Sequence, residues 1–398
     1  MARTPRKELI DETEVGVYHC INRCVRRAFL CGDDPLTGRC FDHRKEWIRQ
    51  RLEFLAGQFA VDVLGYAVMS NHLHVILRNR PDIVSEWSDD EVARRWWALF
   101  PGRKDAAGDP EEPRQHELDM IMSDRKKLAE IRRRLSSLSW FMRCLAEGIA
   151  RDANKEDNCK GRFWEGRFKC QPLLDEAALL ACSVYVDLNP IRAGMAKTPE
   201  RSEFTSVHDR IHAEVPRDDG KQTKAREQKK RGRGRKKPTG KRGKSQRRRD
   251  GWLSPVELAK EVLHQQRTKP NQRASNRGFL PVSESEYLRL VDWTGRQIRN
   301  QWLADRSVKS ANRRGTSEEQ SGTITLSVRR DKRGAIPADL KPILERLRIV
   351  DERWLDTVKH FGRYFRRAVG SVSSLTNEAA KRNGSWLQGI THSREMFI

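Results

Sequence analysis

The chain has 398 residues, 34% charged and 37% hydrophobic. That is too long for one ordinary compact domain, and the surface must be highly charged. Lys and Arg outnumber Asp and Glu by 79 to 55, a formal net charge of +24, which points to a polyanionic partner, most commonly nucleic acid. No apolar run reaches the roughly 18 residues of a membrane span, and the N-terminus has no apolar segment of the kind a secretory signal needs. A cytoplasmic, nucleoid-associated chain with no membrane partner is therefore expected.

In chain order, Val15 to Asn22 is strand-like, and His43 to Gln58 is helical, with Trp47, Ile48, Leu52 and Leu55 on one stripe. Val61 to Met69 is a strong strand signal. Ser70-Asn71 makes a turn into a second strand, His72 to Arg78. Residues 81–117 read as an insertion or mobile loop with a short helix near Glu91 to Phe100. From about Leu118 to Ala153 the pattern is a basic helix or helix pair. Asp175 to Asp187 is helical and stops before Asn189-Pro190, because the residue before a proline is pushed out of helical conformation.

Lys221 to Asp250 holds sixteen Lys or Arg, only two acids and no large apolar residue. It cannot bury a core, so a disordered linker is expected, acting either as a solvated spacer or as a sequence-blind DNA tether. Beyond it, Ser254-Pro255-Val256-Glu257 and Ser283-Glu284-Ser285-Glu286 are capping-box signatures. Asp351 to Val369 places Trp354, Leu355, Val358, Phe361 and Phe365 on one face of a helix with a basic flank. The expected division is 1–215, an α/β domain with 81–117 inserted; 216–250, a basic linker; and 251–398, a helical accessory domain. That last domain either packs on itself or contacts DNA.

All eight cysteines lie between Cys20 and Cys182 and none forms a C-x-x-C pair, so reduced thiols are the default. Cys20, Cys24, Cys31 and Cys40 are close together, but their spacings match no common zinc pattern.

His72-Leu73-His74 carries the chemistry. Side chains alternate along a strand, so the two imidazoles share one face while Leu73 points away. Two neutral imidazoles so placed suit one divalent ion, although a pair of satisfied or exposed histidines would look the same in sequence. On the later helix, Tyr185 and Asn189 are four apart and share a face. A phenol can attack phosphorus once a cation polarises the phosphate, and an amide oxygen suits Mg²⁺ or Mn²⁺. A core tyrosine is the plain alternative. In Gly161 to Lys169, Arg162, Arg167 and Lys169 interleave with Phe163, Trp164 and Phe168. Arginines grip phosphates and aromatic rings stack on exposed bases, which suits single strands and hairpin tips. Aromatics that plug the core would give the same composition.

Three blocks carry a family resemblance: Tyr18-His19-Cys20-Ile21-Asn22-Arg23; Gly65 to Val75, containing Met69-Ser70-Asn71-His72-Leu73-His74; and Gly161 to Lys169 followed by Tyr185-Val186-Asp187-Leu188-Asn189-Pro190-Ile191-Arg192-Ala193-Gly194. In this order they resemble the His-hydrophobic-His single-strand endonucleases with one tyrosine, and most closely the REP-associated tyrosine transposases, over the first ~215 residues. The resemblance implies an α+β fold with a ferredoxin-like antiparallel sheet and helices on one face. His72 and His74 would bind Mg²⁺ or Mn²⁺, with Asn189 as a third ligand, and Tyr185 would form a 5′-phosphotyrosine link. The DNA would be single-stranded or a hairpin, contacted by Arg23, Arg162, Trp164, Arg167 and Lys169, and the protein a monomer or homodimer. The length, the insertion and the C-terminal extension depart from the compact members. A DNA- or RNA-binding protein that keeps the fold without the chemistry is the alternative.

Overall fold

The computed structural model describes residues 9–25, 30–34, 38–106, 110–214, 248–258, 272–313, 336–382 and 387–397. Four strands form one antiparallel sheet: β1 (Val17–Arg23), β2 (Val61–Val68), β3 (His72–Asn79) and β4 (Lys169–Leu173), in spatial order β2-β3-β1-β4. Helix α1 (His43–Gln58) joins β1 to β2, and α6 (Leu138–Glu156) precedes β4. This β-α-β-β-α-β succession is the ferredoxin-like topology, so the expected fold class stands.

Between β3 and β4, α2 (Pro81–Glu86) and α3 (Asp89–Leu99) fall in the region read as an insertion, α4 (Gln115–Ser123) spans its end, and α5 (Arg125–Leu135) belongs with α6 to the stretch read as a basic helix or helix pair. Leu128, Ile131 and Leu135 of α5 lie in the same hydrophobic cluster as Val84 and Val92.

Alternation along the strands sorts the sheet residues onto two cores. Leu73, Val75 and Leu77 of β3 enter the cluster with Ile48 and Leu52 of α1 and Phe141 and Leu145 of α6. Ile76, from the opposite face of β3, enters a second cluster built around α7 (Glu176–Asp187). The helical layer expected on one face thus has a counterpart on the other. Every residue of α7 from Ala177 to Asp187 is buried, so the helix is enclosed all round. It begins at the Asp175 N-cap, whose side chain accepts from Ala178 N, and ends just before α8 (Asn189–Arg192). The chain resumes its helical path at once, because Asn189-Pro190 forms the first turn of α8, where proline is tolerated. Next comes α9 (Ser206–Ile211).

The C-terminal helices are α10 (Glu284–Arg313), α11 (Lys341–Arg346), α12 (Asp351–Tyr364), α13 (Val372–Lys381) and α14 (Ile390–Met396). The capping box before α10 is present: Ser283 Oγ accepts from Glu286 N, and Glu286 Oε2 accepts from Ser283 N at 2.7 Å. Residues 254–257 do not open a described helix; Glu257 bridges to Leu280, and 259–271 lie outside the described residues. The basic stretch read as a linker also lies outside them as far as residue 247.

The C-terminal helices do not pack only on themselves. Tyr287, Leu290, Trp354, Val358 and Phe361 share one cluster with Leu180, Val184 and Tyr185 of α7. Polar anchors hold both ends of α7: Asp175 Oδ2 accepts from Ser371 N at 2.6 Å, and Asp187 Oδ2 accepts from Tyr287 Oη at 2.6 Å. Val369 also bonds to β4, donating its N–H to Pro172 O and accepting from Leu174 N.

A buried ionic knot ties α1, β2 and α9 together. Asp209 accepts from Arg49 Nε at 3.1 Å, from Tyr66 Oη at 2.7 Å and from Arg249 Nε. Burial alone would raise the Asp209 carboxyl, but the neighbouring His208, the Arg49 charge and the Arg249 and Tyr66 hydrogen bonds outweigh it and hold the group at about 2. A depressed folded-state value contributes stability above the unfolded value, close to 3.8, and loses it as the pH falls through about 2. The contribution is of order 2 kcal/mol. Asp209→Ala removes it and leaves Arg49 buried without its main partner, so urea unfolding should show a loss of about 3–5 kcal/mol at pH 7. The difference between the two proteins should narrow from pH 4 towards pH 2.

Candidate active site

β3 places His72 and His74 on the face covered by α7, and their rings lie 4.8 Å apart between centroids. His74 is buried and His72 half-buried at the start of the strand. Tyr185, from the last turn of α7, presents its ring to His74 edge-on at 5.8 Å between centroids. Residues 111 positions apart in the chain (185 less 74) thus meet across the sheet face.

Sequence reasoning missed His19. It lies on β1, directly opposite Gln171 of β4 and diagonal to His74 of β3. His19 Nε2 is 2.8 Å from His74 Nδ1, and His19 Nδ1 is 3.5 Å from Gln171 Oε1. A consistent set of protons follows. With the Gln171 amide oxygen facing it, His19 Nδ1 carries the proton shared with Gln171, whose own Nε2 is then buried without a partner. Neutral His19 then has a bare Nε2, which accepts from His74 Nδ1–H. His74 Nε2 is therefore left as a lone pair, and it is buried without a hydrogen-bond partner. Two neighbouring strands thus set the tautomer of the third, as supporting residues do around metal-binding histidines. The sequence signals were its place in the first motif block and the alternation that puts His19 in phase with Val17 and Ile21 on β1.

Burial keeps all three imidazoles neutral. It lowers His19 and His72 to about 4 and His74 well below its ordinary value. Charges from Arg23 and Lys169 push His72 in the same direction. Neutral rings keep their lone pairs, which suits a cation. Among the described residues no group of three or more His, Cys, Asp or Glu is arranged around one metal position. A cation here would therefore rest on the two imidazoles, and its remaining positions would be open to phosphate and water. The four clustered cysteines form no metal group either.

Asn189, expected as a third metal ligand beside Tyr185, makes its hydrogen bonds to Tyr185 and Arg192. Its Nδ2 donates to Tyr185 O at 3.3 Å, and its Oδ1 accepts from Arg192 NH1 at 3.2 Å. The kink into α8 turns the amide towards Arg192. Arg192 in turn lies 4.5 Å over the Tyr185 ring centroid.

A pocket of about 150 Å³ opens beside the two histidines and Tyr185. Its wall includes Arg23, Glu165, Arg167 and Lys169. Arg23, Arg167 and Lys169 are exposed and bring positive charge to the pocket rim. Arg162 is exposed and does not line the pocket. Trp164 corrects the sequence reading. It is buried, its Nε1 donates to Ala146 O at 2.8 Å, and its backbone bridges to Cys24. Phe163 and Phe168 are buried as well. These aromatics fix the loop on α6 and β1, and so aim Arg167 and Lys169 at the pocket; they offer no free face to a base.

No protein-family profile matches the chain, and no curated protein matches it. Among solved structures, it is similar to a REP-associated tyrosine transposase bound to a REP hairpin, at 12% identity and a TM-score of 0.31, over 53% of this chain and 86% of that one.

The two kinds of loop residue separate by measurement. Trp164→Ala should lower unfolding stability by about 3–5 kcal/mol, as large core truncations do. The pair Arg167→Ala and Lys169→Ala should show itself in nucleic-acid binding instead. Titrated with a single-stranded oligonucleotide, it should weaken binding and reduce the slope of log K against log salt by about one for each phosphate contact removed. An unchanged slope would remove both residues from the interface.

Proposed function

We propose that the chain is a metal-dependent single-strand DNA endonuclease and strand transferase, a transposase by chemistry, acting at hairpin or palindromic DNA. The observation that carries this reading is the approach of helix-borne Tyr185 to neutral His74 at the wall of a pocket rimmed by Arg23, Arg167 and Lys169. The reading also draws on the resemblance of the three sequence blocks.

The cations on the rim would bind the phosphodiester and exclude it from bulk water. Tyr185 Oη would attack phosphorus, forming a P–O bond to the tyrosine as the bond to the 3′ oxygen breaks. The phenol proton leaves to solvent and the departing 3′ oxygen takes one up, so charge and protons balance. The products are a 5′-phosphotyrosine link and a free 3′-OH. Because the ester conserves the energy of the broken bond, a second 3′-OH can reverse the step without ATP. Mg²⁺ or Mn²⁺ bound by His72 and His74 would neutralise the non-bridging phosphate oxygens. His19 and Gln171 hold His74 in the tautomer that leaves Nε2 bare.

A second reading is a DNA- or RNA-binding protein that keeps the fold without the chemistry. It is favoured by the engagement of Asn189 with Arg192 and the Tyr185 carbonyl.

With Mn²⁺ and single-stranded hairpin DNA, the protein should give a covalent adduct that survives a denaturing gel. Tyr185→Phe should abolish it. An adduct that persists in Tyr185→Phe assigns the nucleophile elsewhere, and no adduct across diverse single strands favours the binding-only reading. His19→Ala should weaken Mn²⁺ binding by about 10–100-fold, as loss of a supporting partner does, measured by calorimetry. Unchanged affinity would exclude a role for His19 in holding His74 for the metal.

A further inference from the structure

The end of α12 lies against the tyrosine from the side opposite in sequence to everything the motif blocks contain. The Phe361 ring stacks on Tyr185, with centroids 4.9 Å apart and planes 28° apart. Phe361 also meets His19 edge-on at 6.5 Å. The next residue, Gly362, is exposed, and a Cβ placed on it would lie 3.1 Å from Tyr185 Oη. Three residues before Gly362, the Lys359 carbonyl accepts from Arg192 NH2 at 2.7 Å, and Arg192 is the cation above the Tyr185 ring. The turn is itself bent: His360 leaves helical geometry at φ −114° and ψ 15°, with its Nδ1 3.0 Å from Asp356 Oδ1.

We infer that the turn Lys359 to Gly362 of the C-terminal region is the back wall of the nucleophile site: Phe361 and Gly362 are positioning residues that set the orientation of the Tyr185 side chain. This rests on the reading of Tyr185 as nucleophile. Phe361 fixes the plane of the ring. Gly362 leaves the hydroxyl room that any side chain would reduce. Arg192, held by the Lys359 carbonyl and Asn189, is the cation fixed beside the ring. The turn lies outside every motif block, yet it packs on Tyr185, so the C-terminal helices help build the nucleophile site.

Two variants of the full chain test this. Gly362→Ala adds only the Cβ, and alanine is the better helix former, so the fold should survive. Phe361→Leu keeps an apolar side chain but removes the stack. Each is read three ways: the rate of adduct formation on a single-stranded hairpin with Mn²⁺, the Kd for the same DNA, and the fluorine resonance of Tyr185 after labelling with 3-fluorotyrosine. The chain has five tyrosines, and Tyr185→Phe assigns the signal. Both variants should move the Tyr185 resonance and slow adduct formation by roughly ten-fold or more, as small misplacements of a reacting group do. DNA affinity should stay within about two-fold, because neither residue is among the cations that grip phosphate. Unmoved resonances, or unchanged adduct rates in folded variants, overturn the inference. If the unaltered protein forms no adduct, the nucleophile reading fails on its own, and the resonance alone then decides whether this turn orients Tyr185.

Discussion

Everything in the site depends on α7 packing across the sheet face that carries His72 and His74. The helix is apolar on all sides and must be enclosed. One side is covered by the sheet, through Ile76, Leu64 and Ala67, and the other by the C-terminal helices. A helix held on both sides, with Asp175 and Asp187 anchored at its ends, has little freedom to slide. Tyr185 therefore meets the histidines at a fixed depth. Burial raises the Asp187 carboxyl, and the hydroxyls of Ser206 and Tyr287 offset part of that cost, so this anchor joins the C-terminal helices to the tyrosine helix.

The sheet contributes geometry and the pocket rim contributes charge. Antiparallel register sets Gln171, His19 and His74 in a diagonal row, in which each imidazole fixes the proton of the next. The result is a buried, neutral ring with an open nitrogen. Just outside, Arg23, Arg167 and Lys169 supply the field that would draw a phosphate towards it. A low-dielectric interior beside a cationic mouth strengthens electrostatic interactions with a developing negative charge.

Much of this was legible in the sequence. Strand alternation alone placed His72 and His74 together, and the apolar run from Ala177 to Val186 marked the helix that carries Tyr185. The Ser283–Glu286 capping box was readable because both partners sit within one turn. What was not legible came from pairing between distant segments. His19 and Gln171 join the site only through β1–β3 and β1–β4 register, which no local pattern encodes. Phe361 was readable as core, but not as core against Tyr185. Trp164 was misread because base stacking and interior packing favour the same side chain; its indole N–H found Ala146. Asn189 was placed beside Tyr185 by helical spacing, and the proline kink that begins α8 turned its amide to Arg192.

The proposed reaction joins Tyr185 covalently to DNA. The most direct measurement is mass spectrometry of the protein after reaction with a single-stranded hairpin and Mn²⁺, nuclease digestion of the DNA and proteolysis. A nucleotide phosphate is expected on the peptide containing Tyr185 and on no other tyrosine peptide. A nucleotide on Tyr18, Tyr66, Tyr287 or Tyr364, or an unmodified Tyr185 peptide from protein that had cleaved its DNA, would contradict that reaction.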